Sequence, residues 1–296
     1  TNYIVQIMSS LTMLSIAFLN WARAIASFRR VGEVLDEKID LTDENAKHKD
    51  RAVCEGSVEF QNVSFRYYKN SPEWVIENIS FKLGAGKTLG IIGSTGSGKS
   101  TLVSMIPRLY DTDEGTVLVD GINVRDYGLK PLREGIGMVL QNNTLFSGSI
   151  TENLKWGDEH ADEKAVRKAA QNAQAAGFID SFKDGYRTHL EQSGNNVSGG
   201  QKQRLCIARA LLKCPKILIL DDSTSAVDTK TDALIRQAFR QEIPDTTKII
   251  IAQRVSSVQD ADQIVILDGG TVQAVGTHDE LLAANTIYQE IYYSQM

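Results

Sequence analysis

The stretch LGIIGSTGSGKS, residues 89 to 100, decides the fold. Leu89 to Ile92 read as a buried strand, and Gly93, Ser94, Thr95, Gly96, Ser97, Gly98, Lys99 and Ser100 fit GxxxxGK[ST] directly before a helix that begins at Lys99. In such a loop the glycines let backbone N–H groups close on phosphate oxygens, Lys99 reaches the outer phosphates and Ser100 offers a hydroxyl to Mg²⁺. The helix start, with Thr101 just inside it, adds its partial positive charge to the same place. A bare match of this pattern arises by chance with a probability on the order of 1%. The strand-loop-helix setting lowers it further.

Working outward, ILILDDSTSAVD, residues 217 to 228, supplies the complementary half. Asp221 ends a continuous apolar run, where a nucleotide site needs a carboxylate to hold the Mg²⁺ shell. Apolar runs TLGII, ILILD, KIIIA and QIVIL alternate with helical patterns at 161 to 176 and 229 to 241, and SVEFQNVSFRY and GTVLVD add strands. Strands apolar on both faces, alternating with helices, make an α/β sheet covered on both sides.

The chain has 296 residues, 42% of them hydrophobic and 23% charged, enough to bury a real core. A net charge of −5 gives a nucleic-acid partner no support. Cys54, Cys206 and Cys214 show no metal-ligand spacing and read as inert thiols in a reducing compartment.

Thr1 to Ala22 carry no charge, and Arg23, Arg29 and Arg30 follow. About 20 such residues cross a bilayer as a helix, and arginines after it place its C-terminal end in the cytoplasm. No basic leader precedes the run and no small-residue cleavage site follows cleanly, so a signal peptide is not expected. Gln6, Ser9, Ser10, Thr12 and Ser15 call for a face packed on other helices or lining a cavity. An amphipathic helix packed on the following domain is the alternative. The apolar run already under way at Thr1, without Met, is expected of a fragment whose earlier membrane helices are missing. Residues 36 to 51, DEKIDLTDENAKHKDR, read as a solvated linker. The expected division is residues 1–30 for the end of a membrane helix, 31–54 for a linker and 55–296 for one catalytic domain, with its boundary near Glu55.

NNVSGGQKQRLCIARAL, residues 195 to 211, discriminates among phosphate-loop folds, because Ser198, Gly199, Gly200 and Gln201 open a second phosphate-ready helix in one chain. Here the sequence resembles the ATP-binding cassette (ABC) family, whose LSGGQ-like signature is VSGGQ in this chain. Tyr67, the phosphate loop, Gln141 in VLQNNTLFSGSI, VSGGQ, ILILDD and SAVD follow one another in the family's order. The resemblance covers Gly56 to Met296 and implies an exporter-type nucleotide-binding domain: a RecA-like core, an antiparallel β subdomain and an α-helical signature subdomain. It implies ATP and Mg²⁺, with Ser100, Gln141 and Asp221 at the metal, Tyr67 stacked on adenine with Tyr68 as competitor, and Asp228 crossing a head-to-tail dimer. The SGGQ segment would serve the partner's ATP.

Two positions depart from the family. Asp222 stands where the water-polarising Glu is usual, and Gln253, in IIIAQRVSSV, where a γ-phosphate His is usual. Shortening Glu to Asp withdraws the carboxylate by roughly 1.5 Å, and a misplacement of about 1 Å can cost roughly 10² in rate. Gln253 donates a hydrogen bond but cannot exchange a proton near neutral pH. The resemblance therefore implies a membrane-bound exporter half whose own site binds ATP and cleaves it slowly, with Asp222, Gln253 and Gln141 as its catalytic set. A second half-transporter with an intact Glu and His would complete a heterodimer. The cargo would be a drug, lipid or peptide moved out across a cell membrane, with the cassette on the cytoplasmic side. A regulatory nucleotide-binding subunit without useful turnover, or a soluble cassette protein acting on nucleic acid or ribosomes, are the other readings.

Overall fold

The computed structural model describes residues 2–223 and 226–295. Thr1, Met296 and, within STSAVD, Thr224 and Ser225 lie outside the described residues. The chain divides into two compact units, Thr1–Thr42 and Asp43–Met296.

The first unit carries α1 (Asn2–Leu35), 34 residues long and apolar enough by length and composition to cross a membrane. Four of its hydroxyls bond within the helix. The hydroxyls of Ser9 and Ser10 both donate to the Gln6 carbonyl at 2.9 Å, Thr12 donates to Met8 and Ser15 to Leu11. Such back-bonding lowers the cost of a hydroxyl in apolar surroundings.

In the second unit, β1 (Val58–Phe65), β2 (Ile76–Leu83), β4 (Glu114–Val119) and β5 (Ile122–Asn123) form an antiparallel sheet in the order β2-β1-β4-β5. The larger sheet has the order β12-β11-β3-β10-β9-β6, from β3 (Thr88–Ile92), β6 (Ile136–Val139), β9 (Ile217–Asp221), β10 (Thr247–Ile251), β11 (Gln263–Asp268) and β12 (Thr271–Gly276). Its strands pair in parallel except at the β11-β12 hairpin. A short ribbon pairs β7 (Gly148–Ser149) with β8 (His189–Leu190). Around these lie α2 (Lys99–Ser104), α3 (Leu129–Glu134), α4 (Ile150–Lys155), α5 (Glu163–Asn172), α6 (Ala176–Ser181), α7 (Gly199–Leu212), α8 (Thr229–Glu242), α9 (His278–Ala284) and α10 (Thr286–Tyr293).

β9 shows why an apolar run reads as a central strand. Leu218 and Leu220 enter one core cluster, while Ile217 and Ile219 enter another on the opposite face. Alternation sends consecutive side chains to opposite faces, so both must be apolar.

Two differences from the sequence reading have local causes. The helix expected over 161 to 176 breaks into α5 and α6, because Gln174 adopts a left-handed φ of 54° and its carbonyl is taken by Arg204 Nη1 at 2.8 Å. The compact unit begins at Asp43, upstream of the Glu55 boundary expected from composition. Asp43 accepts a hydrogen bond from Leu129 N at 3.0 Å, and the Asp120 carboxylate gathers the backbone N–H groups of Cys54, Glu55, Gly56 and Ser57. One carboxylate taking four backbone donors fixes the chain where it enters β1.

Candidate functional site

Ligand sites of open parallel sheets lie beyond the carboxyl ends of their strands. Four neighbours, β3, β10, β9 and β6, end there in the phosphate loop, Gln253, the Asp221–Asp222 pair and Gln141 respectively. They open on a cavity of about 780 Å³ that contains all of Gly93 to Thr101, together with Tyr67, Gln141, Asp221, Asp222 and Gln253.

The loop is built closely. A Cβ on Gly93 would stand 1.8 Å from the Leu267 carbonyl, and Gly98, at φ +91°, leads into α2 where an L side chain would be strained. Ser94 Oγ donates to Asp268 Oδ1 at 2.7 Å, which pins the loop to the end of β11. Lys99 Nζ donates to the carbonyls of Gly93 (2.8 Å) and Ser94 (2.6 Å) and to Ser97 Oγ (3.3 Å). Burial lowers its pKa, against the pull of Asp221 and Asp222.

Ser100 Oγ donates to Asp221 Oδ1 at 3.0 Å, which brings together two of the three residues expected at a metal. Burial raises the Asp221 carboxyl above its ordinary value, while the Ser100 hydrogen bond acts the other way. Two carboxylates against one ammonium leave net negative charge beside the Ser100 hydroxyl, which suits a divalent cation. The residues present fit a nucleotide with Mg²⁺: Ser100 and Asp221 would hold the ion, which on binding neutralises phosphate charge.

Asp222 is 8% exposed and sits in a left-handed conformation, φ 46°. Its Oδ2 accepts from Gln253 Nε2 at 2.7 Å and from Gln141 Nε2 at 3.3 Å. Burial, followed by the charge of Asp221, raises its pKa, and both amides oppose that rise. The Gln253 and Asp222 side chains are thus in direct contact. Gln141 reaches the same oxygen.

Tyr67, 49% exposed, lines the cavity, while the more exposed Tyr68 does not. Its hydroxyl lies 2.9 Å from Thr101 Oγ1, and its ring meets Phe65 and Tyr110 edge-on. An aromatic platform anchored at the rim can present a face to a base.

The signature lies apart. Ser198, Gly199, Gly200 and Gln201 are not among the cavity residues. Ser198 caps α7 through a reciprocal capping box, with Ser198 N donating to Gln201 Oε1 at 2.9 Å and Gln201 N to Ser198 Oγ at 3.3 Å. Ser198 and Gly199 are exposed. A Cβ on Gly200 would come 2.8 Å from the Ala226 carbonyl, and Ala226 N donates to the buried Gln203 Oε1 at 3.1 Å. Asp228 caps α8 by accepting from Thr231 N at 3.0 Å.

Asp268 and the α10 wall escaped the sequence reading. Asp268 ends QIVILD as Asp221 ends ILILD, so the same pattern could have flagged it. Ile287, Glu290 and Ile291 of α10 wall the cavity with no motif to announce them.

Order of strands, phosphate loop and capped signature helix together define an ATP-binding-cassette fold, and the family comparison agrees: residues 76–225 match the model for ABC transporter. The chain belongs to that family. Its relatives include two proteins of Bacillus subtilis (strain 168). YgaD, provisionally named a multidrug export ATP-binding/permease protein, is 43% identical over 274 residues, 92% of this chain and 47% of YgaD. The ABC transporter ATP-binding protein YfiB, described as uncharacterized, is 44% identical over 99% of this chain and 50% of its own length. A solved structure, a bacterial Atm1-family ABC exporter with ATP bound, superposes with a TM-score of 0.88 at 33% identity, over 99% of this chain and 51% of that one. The chain spans about half the length of these proteins.

Proposed function

We propose that this chain is the ATP-binding and motor portion of a half-transporter of an ABC exporter, and that its own site cleaves ATP slowly. ATP with Mg²⁺ would lie on Gly93 to Thr101, with adenine against Tyr67 and the metal at Ser100, Asp221 and Gln141. The observation that carries the reading is the Gln253–Asp222–Gln141 cluster. The carboxylate that should polarise water is short, buried and already engaged by two amides. A carboxylate so engaged, without an imidazole beside it, orients water poorly and accepts a proton poorly.

The signature keeps its Ser198 cap and exposed N-terminus, and it completes the site of a second cassette, head to tail. In a heterodimer, the partner's site would be the competent one and this chain's Lys99 site the slow one. α1 would be the cytoplasmic end of the last membrane helix of a multi-pass protein, the cassette lying on the cytoplasmic side. The likeness to YgaD and to the Atm1-family exporter supports outward transport, with a multidrug-type cargo as the working assignment.

The test is ATP turnover and nucleotide retention by the reconstituted transporter, alone and with its partner half, comparing the unmodified chain with Asp222→Glu plus Gln253→His. The expected result is retention of ATP by the unmodified chain and a gain of about 10² in turnover at its site in the double variant. Equal turnover of the two proteins would overturn the slow-site reading.

A further inference from the structure

α10 is a firm part of the cavity wall. Tyr288 is fully buried, and its hydroxyl lies 2.7 Å from His278 Nδ1. Burial pushes this phenol up to about 12. Asn285 Oδ1 caps the helix by accepting from Tyr288 N at 2.8 Å, and Gln289 Nε2 donates to the Leu282 carbonyl at 2.7 Å. Ile287, Glu290 and Ile291, at i, i+3 and i+4, share the face that lines the cavity.

Just past this helix, Gln295 pairs with the main chain of the segment that follows β10. Its Nε2 donates to the Gln253 carbonyl at 2.8 Å, and its Oε1 accepts from Val255 N at 2.8 Å. One bond needs the amide nitrogen and the other its oxygen, so the orientation of the carboxamide is fixed. Val255 N–H also opens the turn Val255–Ser257, to which Arg254 supplies no side-chain cap. Gln295 provides the missing acceptor from 40 residues away in sequence. The residue gripped on one side of this staple is Gln253, whose own side chain holds Asp222 Oδ2 at 2.7 Å.

We propose that Gln295 is a positioning residue: by clamping the backbone of residues 253 to 255 to α10, it holds the Gln253 amide on Asp222 and thereby sets the rate of the terminal-phosphate step at this chain's site. This rests on Gln253 and Asp222 flanking the terminal phosphate, as proposed above. Nucleotide affinity, carried by the phosphate loop, is independent of the staple. A helix that shifted by a fraction of an ångström would alter cleavage without releasing ATP.

The experiment is a double-mutant cycle of Gln295→Ala and Gln253→Ala in the full, membrane-reconstituted chain. ATP affinity, single-turnover hydrolysis and amide exchange at residues 253 to 257 are read for each protein. The cycle is repeated in the Asp222→Glu background, where turnover is readable. Gln295→Ala is expected to speed exchange at Val255 and, by loosening the Gln253 amide from Asp222, to raise hydrolysis about tenfold, with affinity within about twofold. In the Gln253→Ala background it should raise hydrolysis no further. Unchanged exchange at Val255, a full further gain in the Gln253→Ala background, or rate and affinity shifting together would each overturn the positioning role. If Gln253→Ala itself left hydrolysis unchanged, the fault would lie in the placement of Gln253 at the phosphate.

Discussion

The two halves of the cavity are built differently. The half proposed to bind phosphate is contiguous: residues 93 to 101 supply the loop, Lys99 and Ser100, and many of its contacts are main chain. The half proposed to cleave is assembled from the ends of three strands, and Gln141, Asp222 and Gln253 meet at a single carboxylate oxygen. Contiguous sites keep their geometry when distant residues change, while sites gathered from several strands lose theirs with one side chain. Cleavage can therefore weaken in this fold while binding persists.

The largest expected effect breaks the binding half. Lys99→Ala should lower ATP affinity by about 100-fold, or ~2.7 kcal/mol, in a fluorescent-nucleotide titration; an unchanged affinity would end the contrast between the halves. Asp222→Asn should instead lower single-turnover hydrolysis by about tenfold or more with affinity preserved.

Asp222→Asn also sharpens the comparison through stability. Burial holds the folded-state pKa of Asp222 above that of the unfolded chain, so its contribution is present below the unfolded value, about 4, and is lost as pH rises through the folded value. At neutral pH the ionised group therefore opposes folding. The Asn variant should melt higher than the unmodified protein without added nucleotide at pH 7, and the gap should close toward pH 4. A gap that widened on acidification would contradict the direction of the shift.

Smaller effects concern the edges. Ser198→Ala removes a helix cap and should cost about 1 kcal/mol, lowering the melting temperature by about 2–4 °C, while ATP affinity at Lys99 stays put. Tyr67→Phe keeps the ring and loses only the contact with Thr101, so affinity should drop by less than about tenfold. A far larger loss would mean that the hydroxyl, and not the ring, carries Tyr67's role.

How much was legible in the sequence follows the same division. The loop, Asp221, the central strands and the apolar α1 are local patterns, and each is visible in a window of a dozen residues. Asp222 and Gln253 were visible as substitutions, but their mutual contact was not, because 31 residues separate them and only the β9–β10 pairing brings them together. The hold on residues 43 to 51 was missed for a similar reason: Asp43 accepts from Leu129 N and His48 N donates to the Asp126 carbonyl, and nothing in DEKIDLTDENAKHKDR announces either. Gln295 carries no pattern at all.

β9 has one more effect, on how the molecule comes apart. Its odd and even residues serve different apolar clusters, and its neighbour β10 does the same, with Ile249 and Ile251 in one and Ile250 in the other. Pulling either strand from one cluster empties the other, so neither side of the sheet can melt while its counterpart survives. Heat or denaturant should therefore take Asp43–Met296 apart in a single cooperative transition, with coincident curves from probes on opposite sides of the sheet.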